Sequence, residues 1–203
     1  NLILANNLLG TTYREMGDYD KAMEIYTPTL KQSEELGDKR GMVSLLDSIG
    51  IVYYLKGDWD KAIYYYQKSL KIKIKLGDKS KMGGSLGNIG SAYFVKGNHD
   101  KALDYFKRSL RIQEEIDDKY GIEKNLSNIG VYYRNKGDFD KALDYLMQSH
   151  KIKEKYGNKY DIGVSFVNIG NIYSHKGDYD TAQRYFDRSL KIQAELSDNF
   201  SMG

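Results

Sequence analysis

The chain repeats one six-residue phrase at a constant interval of 40 residues. The phrase reads GDYDKA from Gly17, GDWDKA from Gly57, GNHDKA from Gly97, GDFDKA from Gly137 and GDYDTA from Gly177. In the same register a glycine precedes a tyrosine by three residues, first at Gly10 and Tyr13 and then in every later copy. A constant period of this length indicates a stacked array, in which each repeat buries the apolar face of its neighbour. Function should therefore reside on a surface that several repeats share.

The amino-acid composition favours helices and argues against two classes of partner. Only one proline occurs in 203 residues, and apolar residues make up 40% of the chain, which suits long helices around a continuous core. The net charge of +3 is too small for a nucleic-acid-binding face. No apolar run approaches the roughly 18 residues that span a membrane, so we expect a soluble protein with neither nucleic acid nor membrane as its partner.

Two further features bear on where the protein works and how long it is. The chain has no cysteine, which leaves no disulfide or thiol chemistry and fits a reducing compartment, so we expect a cytoplasmic location. It begins with Asn1 rather than methionine, and it stops at Gly203, where a sixth repeat would begin. These two ends predict that the sequence is a piece of a longer protein.

Residues 41–80 show how one repeat should fold. Apolar residues recur at steps of three and four from Val43 to Tyr53, as in a helix with one buried stripe. Gly57 should end this helix, and either Asp58 or Asp60 can cap the free amides of the next one. The second helix should end at a Leu-Gly-Asp loop. The equivalent loops begin at Leu36, Leu76, Ile116, Tyr156 and Leu196.

Each repeat is therefore predicted to be a pair of antiparallel helices, and the fold class to be an all-α solenoid of five antiparallel helix pairs. The residues 1–203 should form a single array, with repeats at about 1–40, 41–80, 81–120, 121–160 and 161–200. Gly50 and Ala62 are small and recur with the repeat, so the two helices should be able to approach closely at these residues.

The recurring positions resemble the signature of the tetratricopeptide repeat family over the whole chain. In residues 41–80 the matching positions are Gly50, Tyr53, Trp59, Ala62 and Tyr66. The period of 40 residues is longer than the usual value of about 34. Together with the Asn-Ile-Gly pattern at Asn88, Asn128 and Asn168, it resembles the longer-helix subtype of spindle-orientation scaffolds, kinesin light chains and bacterial sensor proteins.

The resemblance implies that the first helices line a concave groove and that a peptide segment of a partner protein binds there. Helical geometry identifies the side chains that face away from the buried stripe, and they are rich in serine and asparagine. The second helices should carry the charge on the outer face, for example at Lys68, Lys71 and Lys73. The candidate peptide-binding residues are Tyr54, Asn88, Ser91, Phe94, Lys124, Asn128, Arg134, Asn135, Asn168, Asn171 and His175.

Three asparagines occupy one equivalent position on successive first helices: Asn88, Asn128 and Asn168. An asparagine amide offers both a donor and an acceptor, so this row could hold the main chain of a peptide without reading its sequence. Alternatively, these amides bond the backbone of the adjacent helix and hold the stack in register. The sequence leaves both roles open.

The remaining candidates would supply specificity. Lys124 and Arg134, with His175 nearby, could receive a carboxylate or a phosphorylated side chain, although both cations could equally be solvated. Three glycines, Gly83, Gly84 and Gly87, could open a recess between Tyr54 and Phe94, and the alternative is that the array simply tolerates them.

No arrangement of residues predicts catalysis, a metal site or a cofactor. The histidines His99, His150 and His175 fall in three different repeats, and His150 replaces the leucine of other repeats as a packing variant. We therefore expect a protein-binding scaffold without enzymatic activity. The alternatives are the sensory or dimerising region of a larger signalling protein, and an array that forms homo-oligomers through exposed end repeats.

Overall fold

The computed structural model describes residues 2–201, and those residues form ten α-helices and no strand. The helices are α1 Leu2–Glu15, α2 Tyr19–Glu35, α3 Lys39–Leu55, α4 Trp59–Leu76, α5 Lys79–Val95, α6 His99–Glu115, α7 Lys119–Asn135, α8 Phe139–Tyr156, α9 Lys159–His175 and α10 Tyr179–Ser201. The first and second helices of each repeat alternate along the chain. The predicted class, an all-α solenoid of helix pairs, is confirmed.

The structure divides into two compact units, Asn1–Ile112 and Gln113–Gly203, and the division falls within α6. In the first unit α1 packs on α2 and α3 packs on α4, while α2 also contacts α3 and α4 also contacts α5. In the second unit α7 packs on α8, α9 packs on α10, and α8 contacts α9. The second helices α2, α4 and α8 are thus each covered on one side by their own first helix and on the other by the first helix of the next repeat.

The turns within the repeats follow the local chemistry of glycine and aspartate. Gly57 has a φ of 79°, a left-handed conformation that glycine adopts without strain. Asp58 caps α4, because its carboxylate accepts a hydrogen bond from the Lys61 amide at 3.1 Å. Asp60 instead forms an ion pair with Lys96, the residue that follows α5. Of the two predicted caps, Asp58 is therefore the correct one.

The marker glycines set the closest approach of the two helices in a repeat. A Cβ atom on Gly50 would lie 2.6 Å from the ring of Tyr66, which is shorter than any ordinary contact. Ala62, one turn earlier on the same second helix, is completely buried. The prediction that the two helices approach closely at Gly50 and Ala62 is confirmed.

Two predictions about the second helices are wrong. The first is the loop at Leu196, because α10 continues through this residue to Ser201. Ser197 stands where Gly37 and Gly77 end earlier helices, and its hydroxyl donates to the carbonyl of Gln193 inside the helix at 2.8 Å. Serine takes the left-handed conformation less readily than glycine or than the aspartate at the equivalent position 117, where Asp117 has a φ of 56°, so the helix runs on.

The second correction concerns Lys73, which does not lie on the charged outer face. Its side chain is only 3% exposed, and its ammonium group lies 2.6 Å from Asp47 and 2.5 Å from the hydroxyl of Ser85. Asp47 belongs to α3 and Ser85 to α5, so one lysine of α4 joins the two first helices on either side of it. His150, by contrast, is buried as the packing interpretation predicts.

Candidate functional site

In the second unit, the candidate residues lie on the half-exposed sides of α7 and α9, the two first helices that flank α8. The opposite sides of these helices are buried by residues such as Leu126 and Ile129 on α7 and Ile169 on α9. The helical periodicity and the burial of these residues together show that the candidate residues lie on the side away from the core. On α7 these are Lys124, Asn128, Arg134 and Asn135, and on α9 they are Asn168, Asn171 and His175.

Three asparagine side chains of this surface make no hydrogen bond to the described residues. Within residues 2–201, no group donates to or accepts from the side-chain amides of Asn128, Asn168 or Asn171. The buried Asn125 behaves differently, since its amide nitrogen donates to the Gly121 carbonyl at 2.9 Å and to the side chain of Gln113. The row of asparagines does not hold the helices in register through hydrogen bonds of its own.

The two cations of α7 are too far apart to hold a single carboxylate. They are ten residues apart on one continuous helix, which corresponds to a rise of about 15 Å. Lys124 is exposed, and no acidic group lies within ion-pair distance of it among the described residues. Arg134 makes only long contacts, at 3.4 Å, with the amide oxygen of Asn135. Each cation could therefore meet a different group of a ligand.

His175 lies at the same end of this surface as Arg134. It occupies on α9 the position that Asn135 occupies on α7, near the carboxyl end of the helix. Its imidazole stacks on the ring of Phe139, with the ring centroids 5.3 Å apart and the planes 4° from parallel. This stacking fixes the ring plane and leaves its edge open, because the side chain is exposed.

No acidic side chain points along this surface between the two cations. The acidic residues of α7 and α9 are Glu123 and Asp161. Glu123 is turned toward α8, where it pairs with Lys153 at 3.0 Å and accepts a hydrogen bond from Ser149 at 3.0 Å. Asp161 lies in the first turn of α9. Neither of these carboxylates forms an ion pair with Lys124 or Arg134.

The corresponding surface of the first unit has a more apolar character. Tyr54 of α3 is half-buried and packs against the core cluster around Ala62 and Leu86. Phe94 of α5 meets the ring of His99 edge-on at 4.8 Å. The hydroxyl of Ser91 donates to the Gly87 carbonyl at 3.0 Å, so only its lone pairs remain for a ligand.

The glycines of α5 differ from one another. Gly84 is exposed, and a Cβ atom there would have no neighbour within 4 Å. Gly83 is buried, and its carbonyl accepts a hydrogen bond from Ser109 at 2.7 Å. Open space along α5 therefore lies at Gly84, whereas Gly83 serves the packing against α6. Asn88, four residues beyond Gly84, has no hydrogen-bond partner among residues 2–201.

Sequence reasoning missed a cavity of about 260 Å³ between α1 and α3. It is lined by Ile3, Leu4, Asn7, Asp38, Arg40, Gly41 and Ser44. Beside it, the hydroxyl of Ser48 donates to the amide oxygen of Asn7 at 3.0 Å. Ser48 occupies the position of the asparagine row, so in this repeat the position is used for packing. In the sequence, the serine at residue 48, where later repeats have asparagine, was the sign that this position differs.

The described residues contain neither a membrane-spanning helix nor a cluster of metal-ligating side chains. No helix in the described part of the chain is long and apolar enough to cross a membrane. Between residues 2 and 201, no three or more histidine or acidic side chains are grouped so that they could hold a metal ion.

Comparison with known proteins identifies one family. A model described as tetratricopeptide repeat matches residues 1–75 and 82–155, and a second model of the same description matches residues 164–196. Among curated proteins, no sequence matches this chain.

Solved structures share the fold. BtubC (BKLC) from P. vanneervenii is 23% identical, with a TM-score of 0.87 over 97% of this chain and 81% of that one. A putative kinesin light chain of Podosopora anserina, with nearly identical TPR-like repeats, is 16% identical, with a TM-score of 0.77 over 96% of both chains. A Rap protein complexed with Competence and Sporulation Factor is 21% identical, with a TM-score of 0.79 over 96% of this chain and 54% of that one.

Proposed function

Because the chain belongs to the tetratricopeptide repeat family, we propose that it is a non-catalytic scaffold that binds an extended acidic segment of a partner protein along α7 and α9. The observation that carries this proposal is the set of unbonded amides at Asn128, Asn168 and Asn171. A polar group that is half-buried and has no internal partner is available to a ligand at little cost in desolvation.

The amides suit a peptide backbone. Each offers a donor and an acceptor, so one asparagine can bond both the carbonyl and the amide of a single peptide unit. Packed helices lie roughly 8–10 Å apart, and an extended peptide advances about 3.3 Å per residue. About three residues of ligand would therefore separate the peptide units held by asparagines on helices at this spacing. Such contacts bind main chain and leave the choice of sequence to other groups.

Charged side chains would determine which ligand sequences bind. Lys124 and Arg134 face solvent on α7 without an ion-pair partner, and Glu123 is already neutralised by Lys153. Lys124 lies four residues, or about one turn, before Asn128 on α7, so in a ligand that crosses α7 and α9 it would meet an acidic side chain beside the peptide unit held by Asn128. A phosphorylated side chain has the same chemistry and would bind at either position.

The first unit offers a surface of its own with a different preference. Tyr54 and Phe94, with open space at Gly84, would accept an aromatic or branched side chain. Asn88 would bond the main chain beside it. We assign the acidic preference to the second unit and the apolar preference to the first.

One solved neighbour supports binding as the role of this fold. The Rap protein in that structure is complexed with Competence and Sporulation Factor. The likeness establishes the fold alone, so the acidic preference proposed for this chain stands on its own residues.

A fluorescence anisotropy titration tests the proposal. The probe is a labelled peptide of about twelve residues in which glutamate alternates with alanine, long enough to cross α7 and α9 in extended form. A net contribution of about 1 kcal/mol from each asparagine predicts that Asn128→Ala with Asn168→Ala weakens binding about thirtyfold. Lys124→Glu should weaken it further through repulsion.

The matched control is Lys151→Glu, which makes the same charge change on the exposed side of α8. It should leave the affinity close to that of the unaltered protein. Equal losses for Lys124→Glu and Lys151→Glu would show that the peptide responds only to overall charge. A peptide with glutamine in place of glutamate that binds equally well would refute the acidic preference.

A further inference from the structure

A small cavity of about 60 Å³ lies in the second unit, where the amino-terminal ends of α7 and α9 meet the carboxyl end of α8. Its wall includes Tyr120 of α7, Ile152 and Tyr156 of α8, and Asp161 of α9. The volume is well below that of a typical site for a small-molecule ligand, which is about 300 Å³ or more. A cavity of this size suits the end of a single side chain.

The carboxylate of Asp161 is not needed to cap α9. Asn158 caps this helix, because its side-chain oxygen accepts a hydrogen bond from the Asp161 amide at 2.9 Å. Gly157 before it has an extended backbone, with a φ of −87° and a ψ of 173°, whereas Gly77 at the equivalent position is left-handed with a φ of 67°. The connection from α8 to α9 thus differs from that between α4 and α5, and it leaves the Asp161 carboxylate available to a ligand.

Asp161 also carries the one charge in the cavity wall that no other described group balances. Lys119 pairs with Asp117, and Lys153 pairs with Glu123 at 3.0 Å. Among residues 2–201, the Asp161 side chain forms neither an ion pair nor a hydrogen bond. A carboxylate in this state attracts a cation and accepts hydrogen bonds from an ammonium group.

The two tyrosine rings favour the same kind of ligand. Tyr120 is 74% exposed and Tyr156 is 56% exposed, and neither hydroxyl is hydrogen-bonded within the described part of the chain. Aromatic faces attract ammonium groups that lie within about 6 Å of the ring centroid. Tyr156 already shows this behaviour, because the ammonium group of Lys155 lies 4.9 Å from its centroid. Ile152 is half-buried and offers apolar surface to the methylene groups of a long cationic side chain.

We infer that the cavity binds a lysine side chain of a partner protein. The ammonium group would lie beside the Asp161 carboxylate and the rings of Tyr120 and Tyr156. The methylene groups would pack against Ile152. This goes beyond the acidic segment proposed for α7 and α9, because the ligand has the opposite charge. Tyr120 lies four residues, or about one turn, before Lys124 on α7, so the two sites are adjacent and use different residues.

An NMR titration of the 203-residue chain tests this inference. The probe is a short peptide with a central lysine among glycines and serines, blocked at both ends so that the lysine is its only charge. The matched probe has norleucine in place of lysine, which keeps the methylene stem and lacks the ammonium group. The resonances of Tyr120 and Tyr156 should shift with the lysine probe, which should bind at least about tenfold more tightly than the norleucine probe.

The tyrosines are tested by exchange for leucine, which keeps apolar surface and removes the aromatic ring. Tyr120→Leu with Tyr156→Leu should weaken binding of the lysine probe about tenfold. Tyr160→Leu is the matched control, because Tyr160 is 66% exposed on α9 and does not line the cavity. It should leave the affinity unchanged.

The charged groups allow two further comparisons. Asp161→Asn should weaken binding about threefold, whereas Asp180→Asn, the same charge change in the first turn of α10, should not. Lys155→Ala should strengthen binding, because it uncovers the ring of Tyr156. Lys151→Ala, which removes the same charge from the exposed side of α8, should have a smaller effect.

None of the substituted side chains is fully buried, so the melting temperatures should stay close to that of the unaltered chain. Equal binding of the lysine and norleucine probes would show that the cavity takes apolar side chains, and would overturn the inference. A lysine probe that leaves Tyr120 and Tyr156 unshifted would overturn it as well. Asn128→Ala with Asn168→Ala should leave the affinity of the lysine probe unchanged, so this inference and the proposed function can fail separately.

Discussion

The ammonium group of Lys73 lies 2.6 Å from the Oδ2 atom of Asp47, and the lysine side chain is almost fully buried. The same ammonium group also donates to Ser85. Removing the carboxylate would leave a buried charge with only one neutral partner. A buried charge without its counter-ion is among the most destabilising changes in a protein interior.

We therefore predict that Asp47→Ala lowers the free energy of unfolding by about 3 kcal/mol. Asp60→Ala is the control, because its pair with Lys96 is exposed and should contribute at most about 1 kcal/mol. Chemical denaturation measures both. Lys73→Met in the Asp47→Ala background should recover most of the loss, and a double variant as unstable as Asp47→Ala would show that the charge is not the cause.

Two glycines of α5 should respond in opposite ways to the same substitution. A Cβ atom on Gly90 would lie 2.7 Å from the ring of Phe106 and 3.3 Å from the carbonyl of Ala102. Gly90→Ala should therefore destabilise the protein by about 1–3 kcal/mol through overpacking.

Gly84→Ala is the matched variant, since open space surrounds that position. Alanine is favoured over glycine in a helix by about 1 kcal/mol, so this change should raise the melting temperature. Thermal melting of the two variants is the measurement. A Gly90→Ala variant that is as stable as Gly84→Ala would contradict the close approach of the helix pair.

The sequence was sufficient to predict the helix pairs, because each boundary depends on local chemistry. Gly57 and Asp58 end one helix and cap the next through their own backbone and side chain, and the pattern of Val43 to Tyr53 fixes which side is buried. The same periodic pattern predicts which residues of the first helices lie on the half-exposed side, where the candidate site residues are. Local rules decide these features, so an isolated sequence carries them.

The pairing of polar groups could not be predicted in this way. Lys73 lies in a run of alternating lysines, and only the contact of α4 with α3 and α5 shows that it is buried with Asp47 and Ser85. The freedom of the Asn128 amide likewise depends on what the neighbouring helices place around it. The periodic pattern of the sequence shows which side of a helix a residue occupies. Its hydrogen-bond partners, however, are residues 12 to 41 positions away in the chain.

Two asparagines of α7 should separate structural from binding roles. Asn125 is buried and bonds Gly121 and Gln113, whereas Asn128 bonds no group among residues 2–201. Asn125→Ala should lower the free energy of unfolding by about 1–2 kcal/mol. Asn128→Ala should leave it unchanged, because no internal bond is lost. Denaturation curves for both variants provide the measurement. A destabilised Asn128→Ala variant would show that Asn128 does help to hold the helices in register.

The buried His150 should make stability sensitive to mild acid. Its Nδ1 lies 2.7 Å from the hydroxyl of Ser165 on α9, and its Nε2 lies 3.2 Å from the carboxylate of Glu154 on α8. Burial lowers the pKa of His150, Glu154 opposes this shift, and the charges of Lys153 and of Arg188 on α10 add to it. The native state therefore takes up the proton less readily than the unfolded chain.

The sign of the effect follows from this depressed pKa. Above the ordinary histidine pKa of about 6.5, both states are neutral and the stability is complete, and it is lost progressively as the pH falls toward the lower pKa of the folded state. Melting temperatures should therefore fall as the pH is lowered from about 7 to 5.

His150→Leu, which gives this position the leucine found at the equivalent Leu70, should remove that part of the pH dependence. Glu154→Gln should enlarge it, because the carboxylate that favours the charged ring is gone. An unaltered pH profile in His150→Leu would show that the acid sensitivity arises elsewhere.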